Sequence, residues 1–189
     1  MTLEALKASI KEQLCPNRYD HTLRVMETSM VLAKKYGVCL ESAQIAALLH
    51  DVAKNQTDDE LQKQLEKANL RDYLNYHSLI WHAPVGALVA RKKYRIESQD
   101  ILNAIQYHTT GRSQMSKLEQ IVFLADYIEP YRTQPNVELI RQLATESLER
   151  AIAKVLEDTI AYLTSKGDGK IHPDTWAAYQ EYKPYLQKH

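Results

Sequence analysis

The sequence predicts an all-α protein folded as one domain over 1–189, and three observations carry that prediction. Gly and Pro are scarce, with 5 and 6 in 189 residues. Apolar residues recur three and four positions apart, the period of a helix with one buried face. Alternating runs of β-branched residues and hairpin turn signals do not interrupt that pattern. A hydrophobic content of 44% with 25% charged residues suits a soluble globular chain long enough to bury one core.

Local signals justify each element in turn. Residues 2–14 read as a short helix stopped by Cys15-Pro16. Asn17 is placed to cap a second helix ending at Tyr36, where Gly37 suits the left-handed residue that closes a helix. A third helix is expected over 40–53. Thr57-Asp58-Asp59-Glu60 has the form of a capping box, in which the Thr and Glu side chains each satisfy a free backbone N–H, so it opens a fourth. Later helices are expected over 84–94, 99–107, 117–128, 137–165 and 173–187. Across 137–165 the stripe Leu139, Ile140, Leu143, Leu148, Ile152, Val155, Leu156 and Ile160 marks a face packed on the rest of the bundle. Tyr supplies 12 of the aromatic residues, each one packing bulk with a wet end. The terminal His189 is expected to be unordered.

Composition narrows the function classes. With 24 Lys+Arg against 24 Asp+Glu the formal net charge is zero, which argues against nucleic-acid binding, since that rests on excess cations facing phosphates. A local basic pocket for a free nucleotide stays open. The two cysteines, Cys15 and Cys39, form neither a disulfide framework nor a C-x-x-C motif, and read as small hydrophobes near helix ends. The N-terminal stretch lacks an apolar signal core, and no apolar run reaches the roughly 20 residues that span a bilayer. A cytoplasmic protein without membrane partners is expected.

Chemistry enters where titratable residues interrupt apolar runs, because burying them unpaired is costly. Ala46-Ala47-Leu48-Leu49 leads into His50-Asp51, and Ile121 to Ala125 leads into Asp126. Ser78 to Trp81 precedes His82, Ile101 to Tyr107 precedes His108, and His21 begins a periodic run. Taken singly, each is readily a satisfied core residue. Taken together, they are satisfied at once by a shared metal ion. Imidazole nitrogen with carboxylate oxygen is a ligand mix suited to Fe, Mn, Co, Ni or Zn.

The order His21, His50-Asp51, Asp126 resembles the H…HD…D signature of the HD-domain metal-dependent phosphohydrolases. The strings Tyr19-Asp20-His21-Thr22-Leu23-Arg24-Val25, His50-Asp51-Val52-Ala53-Lys54, His108-Thr109-Thr110-Gly111-Arg112 and Ala125-Asp126-Tyr127-Ile128-Glu129-Pro130 resemble the YqeK-type branch, symmetrical bis(5'-nucleosyl)-tetraphosphatases that split diadenosine tetraphosphate into two ADP. The resemblance runs from about Asn17 to Tyr179 and implies a helical bundle with a metal site in its core. Residues 17–130 would form the body of that bundle, and helices over 136–189 would complete it and its nucleotide pocket.

It further implies that His21, His50, Asp51 and Asp126 hold one metal, and that Asp51 bridges to a second completed by His82 and His108. Iron is the metal implied, with manganese or cobalt as alternatives. A metal-activated hydroxide would attack an internal phosphorus. Lys54, three residues after Asp51, would contact phosphate, the alternative being a solvated lysine at a helix end. Arg18, Thr109, Gly111, Arg112 and Arg132 are further candidate contacts to a dinucleoside polyphosphate or ADP-like ligand. Lys170, His172 and Thr175 belong to a segment that would cover the nucleotide, or form an ordinary turn with Pro173 opening the last helix. His77 is expected at the surface or in support of the site. Glu129 would be an acid or a group that orients water, which the sequence does not decide.

Three rival functions stay open. One is an HD hydrolase of mononucleotides or deoxynucleoside triphosphates, told apart by its products. Another is a nucleotide sensor with weak hydrolysis, against which the intact ligand set counts. The blandest is a structural bundle with paired core histidines, indifferent to chelators. Tyr182, Tyr185 and Leu186 are available to a homodimer face or, more simply, to docking the last helix.

Overall fold

The computed structural model describes residues 2–166 and 170–187, and all regular structure among them is helical. His189 lies outside the described residues. Helix α1 (Leu3–Gln13) is capped by Thr2, whose hydroxyl accepts from Ala5 N–H. α2 (Pro16–Tyr36) starts two residues earlier than the sequence suggests. Cys15 takes the cap position and Pro16 the first helical one, where its missing N–H costs nothing, so Asn17 is not the cap. Gly37 closes α2 at φ +70°, as expected.

α3 (Leu40–Leu49) stops short of the expected Ala53, and 50–54 follow as consecutive turns. The capping box at Thr57 and Glu60 is present and opens α4 (Asp58–Lys67). Two short 3₁₀ segments, Arg71–Asn75 and Ser78–Ile80, lead into α5 (His82–Lys93). That helix includes His82, two residues before its expected start at Pro84, because a proline in the first turn removes no helical hydrogen bond. α6 (Gln99–Gln106) and α7 (Lys117–Ile128) match their expected spans to within one residue, and a second capping box, Ser116 with Glu119, opens α7.

The expected helix over 137–165 is two helices, α8 (Val137–Glu146) and α9 (Leu148–Ser165). Ser147 separates them in extended conformation, its hydroxyl accepting from Arg150 N–H. Within the stripe, Ile140, Leu148, Ile152, Val155 and Leu156 are buried, but Leu139 is exposed on α8. α10 (Pro173–Tyr182) ends in a 3₁₀ turn, Lys183–Gln187.

α7 is the hub of the bundle. Leu118 to Ala125 are all buried, and the helix packs against α2, α3, α6, α8 and α9. One apolar cluster joins residues from α1 to α10, and a smaller one gathers Ala53, Leu61, Leu65, Tyr73 and Val85 beneath α4. Tyr182 is buried, and Tyr185 and Leu186 pack against the main cluster, so these side chains dock the last helix on its own core. Both cysteines are exposed, which corrects their reading as packed hydrophobes. No helix among the described residues is long and apolar enough to cross a membrane.

Candidate metal centre

The bundle brings together residues that are far apart in sequence. His21 projects from α2, His50 and Asp51 stand at the end of α3, His82 opens α5, His108 follows α6, and Asp126 sits in the last turn of α7. His21, His50, Asp51, His82 and His108 are buried, and Asp126 is half-buried.

Asp51 divides its two oxygens between two groups. Oδ2 faces His50 Nε2 at 3.6 Å and His21 Nε2 at 3.9 Å, while Oδ1 faces His82 Nε2 at 3.1 Å and His108 Nε2 at 3.6 Å. Asp126 Oδ1 closes the first group, 3.0 Å from His21 Nε2 and 3.9 Å from His50 Nε2. His82 and His108 meet through their Nε2 atoms at 3.2 Å.

These contacts do not satisfy the imidazoles. Nε2 of both His21 and His50 is buried without a hydrogen-bond partner, although Asp126 Oδ1 approaches His21 Nε2 to 3.0 Å. Leaving such atoms dry costs about 1–3 kcal/mol each. A cation among the nitrogens and carboxylates would satisfy them, and the nitrogen and oxygen donors are those that first-row transition metals take. The groups His21–His50–Asp126 and His50–Asp51–His108 each bring one ligand atom per residue within 4.8 Å of the others.

The opposite ring nitrogens are committed elsewhere. His50 Nδ1–H donates to the Ala47 carbonyl at 2.6 Å and His108 Nδ1–H to that of Ile105 at 2.7 Å. This fixes the tautomer that turns the Nε2 lone pair inward, the form a metal needs. Burial pushes the pKa of both His50 and His82 down to about 4, so both are neutral near pH 7. Burial alone would raise Asp51, but the imidazoles of His50, His108 and His82 packed around it outweigh that and hold the carboxyl well below its usual range. Asp126 is lowered in the same way, with His21, His50 and Arg132 overcoming burial.

Cationic groups surround this cluster. Lys54 Nζ lies 3.0 Å from His82 Nδ1 and donates to the Leu79 carbonyl at 3.3 Å. Arg18 donates to Asp51 Oδ2 at 2.9 Å, and Arg132 to Asp126 Oδ1 at 2.6 Å and to its carbonyl at 2.8 Å. Arg112 stands apart, because both arms of its guanidinium fork onto the buried carboxylate of Glu119 at 2.6 Å. Thr109 Oγ1 is buried and unpartnered. Gly111 holds φ +63°, and a Cβ there would meet Ala178 Cβ at 3.4 Å.

Lys170 is exposed and Thr175 buried. His172 caps α10, its Nδ1 accepting from Asp174 N–H at 3.2 Å, and its ring stacks on Tyr73 at 4.8 Å. Pro173 therefore occupies the first helical position, as the turn reading expects. His77 is exposed and caps the 3₁₀ turn after it.

Glu129 takes a place that the sequence left open. Its carboxylate is buried; Oε1 accepts from His21 Nδ1–H at 3.1 Å, and Oε2 from Arg24 Nε at 2.7 Å and Tyr131 N–H at 2.9 Å. Those three contacts, led by Arg24, lower its pKa against the effect of burial.

The chain is similar to known proteins along most of its length. The HD domain family model matches residues 18–131. A protein of Halalkalibacterium halodurans named "Bis(5'-nucleosyl)-tetraphosphatase, symmetrical" is 45% identical over 173 residues, covering 91% of this chain and 92% of its own. A Bacillus subtilis protein of the same name is 38% identical over 180 residues, covering 95% and 96%. A crystal structure described as a predicted HD superfamily hydrolase involved in NAD metabolism, from Clostridium acetobutylicum, superposes with a TM-score of 0.92 at 33% identity, covering 97% and 98%. The matched span begins at Arg18 and ends at Tyr131, so it contains every residue that converges on Asp51, and the chain belongs to the HD domain family.

Proposed function

We propose that the protein is a metal-dependent hydrolase that splits diadenosine tetraphosphate symmetrically into two ADP. The observation that carries this reading is the buried Asp51 carboxylate, whose two oxygens face two separate sets of imidazoles within a ring of phosphate-competent cations. The names of the relatives supply the substrate and the symmetric cut.

His21, His50, Asp51 and Asp126 would hold one transition-metal ion, and Asp51, His82 and His108 a second. Iron is our choice, with manganese or cobalt as substitutes. When bound, the ions supply an activated water and neutralise charge on the phosphoryl oxygens.

This chain's own residues do the rest. Lys54, Arg18 and Arg132 border the carboxylates, so their remaining N–H groups face the place where a polyphosphate would lie. Thr109, with an unpartnered hydroxyl beside His108, is a fourth contact. Gly111 lets the loop after His108 pack close to α10. Arg112, engaged by Glu119, holds that loop in place in our reading, instead of gripping phosphate. Lys170, His172 and Thr175 border the nucleoside in the same reading. A cytoplasmic location fits two free, exposed cysteines, which a reducing compartment preserves.

The test is incubation of the purified protein with diadenosine tetraphosphate and Fe(II) or Mn(II), with products resolved by ion exchange. ADP as sole product is expected. ATP with AMP would overturn the symmetric cut, and no turnover with any metal would overturn the substrate.

A further inference from the structure

We propose that Glu129 is a positioning residue for the metal centre: it fixes the orientation and tautomer of His21 and ties the turn bearing Arg132 to the same ligand. The proposal rests on the metal-centre reading above.

Each inward-facing imidazole needs an acceptor for its Nδ1–H. His50 and His108 lie at helix ends, where a carbonyl three residues back is free to accept from Nδ1. His21 lies inside α2, where the helical ladder uses the local carbonyls. Its Nδ1 therefore needs an acceptor from another element. Glu129, just past the end of α7, provides one at 3.1 Å.

A buried carboxylate is tolerated only when its own acceptor sites are filled. Arg24, three residues after His21 and so on the same side of α2, fills one at 2.7 Å. The backbone N–H of Tyr131 fills another at 2.9 Å. Glu129 thus grips α2 twice, through His21 and Arg24. The Tyr131 ring lies 4.3 Å from the Arg24 guanidinium and covers the ion pair from outside.

Two consequences follow for the site. A carboxylate on Nδ1–H selects the tautomer with a free Nε2 lone pair and raises that nitrogen's basicity toward a cation. The same residue closes a turn through its carbonyl, which accepts from Arg132 N–H at 2.9 Å. Arg132 in turn donates to Asp126, so a proposed metal ligand and a proposed phosphate contact are tied to one residue, His21 through its carboxylate and Arg132 through its carbonyl. In Glu129→Gln one arm of the side chain becomes a donor. It then faces Arg24 and Tyr131, or else His21, with N–H against N–H.

The test is Mn(II) affinity of the full-length protein, read from the EPR signal of free Mn(II), for wild type, Glu129→Gln, Arg24→Lys and the double variant. Glu129→Gln is expected to bind about 10–100-fold more weakly, while its metal-free form melts close to wild type. Arg24→Lys should fall between, and the double variant should bind no more weakly than Glu129→Gln alone. Wild-type affinity in Glu129→Gln overturns the proposal. If that variant does not fold, wild-type affinity in Arg24→Lys overturns it. Wild-type protein that binds Mn(II) without splitting the dinucleotide would remove the substrate reading and leave this proposal standing, whereas wild-type protein that binds no Mn(II) would remove both.

Discussion

Single atoms decide most of what this site can do. The lysine at 54 lies against His82 and the Leu79 carbonyl, contacts that use only part of its donor capacity. Lys54→Ala should therefore lower kcat/KM about 10–100-fold, the cost of one charge-assisted phosphate contact, with little change in melting temperature. Unchanged kcat/KM would leave Lys54 only a structural partner of His82 and the Leu79 carbonyl. The histidines also set a pH dependence. His50 and His82 titrate near 4 in the folded protein and near 6.5 when unfolded, so between those values the unfolded chain holds more protons. Metal-free protein should lose stability as pH falls from about 6.5 to about 4, as read by urea midpoints, and a flat profile across that window would contradict their neutral burial. The sequence showed all six proposed ligands, because a titratable side chain in an apolar run is a local signal. It could not show what Glu129 does, since its main partners His21 and Arg24 lie on α2, more than a hundred residues away.

Helices position the proposed ligands, and their ends were legible where the stabilising group is local. Thr57 and Glu60 form a box within four residues, and Gly37 closes α2 at its own φ. The break at Ser147 was hidden because apolar residues continue at helical spacing on both sides of it, and only the serine cap marks the new start. Ser147→Ala should cost about 1 kcal/mol, a drop of roughly 2–4 °C in Tm for a chain this size. A second element-level prediction concerns the loop after His108. Arg112→Ala leaves the buried Glu119 carboxylate with only the Ser116 N–H, so it should destabilise by about 1–3 kcal/mol in urea unfolding. If Arg112 also gripped phosphate, the variant would show a raised KM in addition to the loss of stability. Sequence reasoning offered Arg112 to the substrate and did not show its pairing with Glu119, which forms only once the loop is folded.

The molecule as a whole is a bundle arranged around α7, with the proposed ligands delivered from α2, the end of α3, α5, the end of α6 and α7 itself. Metal binding should therefore stabilise the entire fold and not one loop. At metal concentrations a hundredfold above Kd the gain is about 2.7 kcal/mol, so chelation should lower Tm by roughly 5–10 °C. A chelator-indifferent melt would favour a purely structural bundle. The central claim is that Asp51 serves two metal positions at once, and metal analysis of purified, metal-loaded wild type beside Asp51→Asn tests it most directly. The account predicts two ions per wild-type chain and fewer than one in the variant. A variant that keeps the wild-type metal content while folded would contradict it.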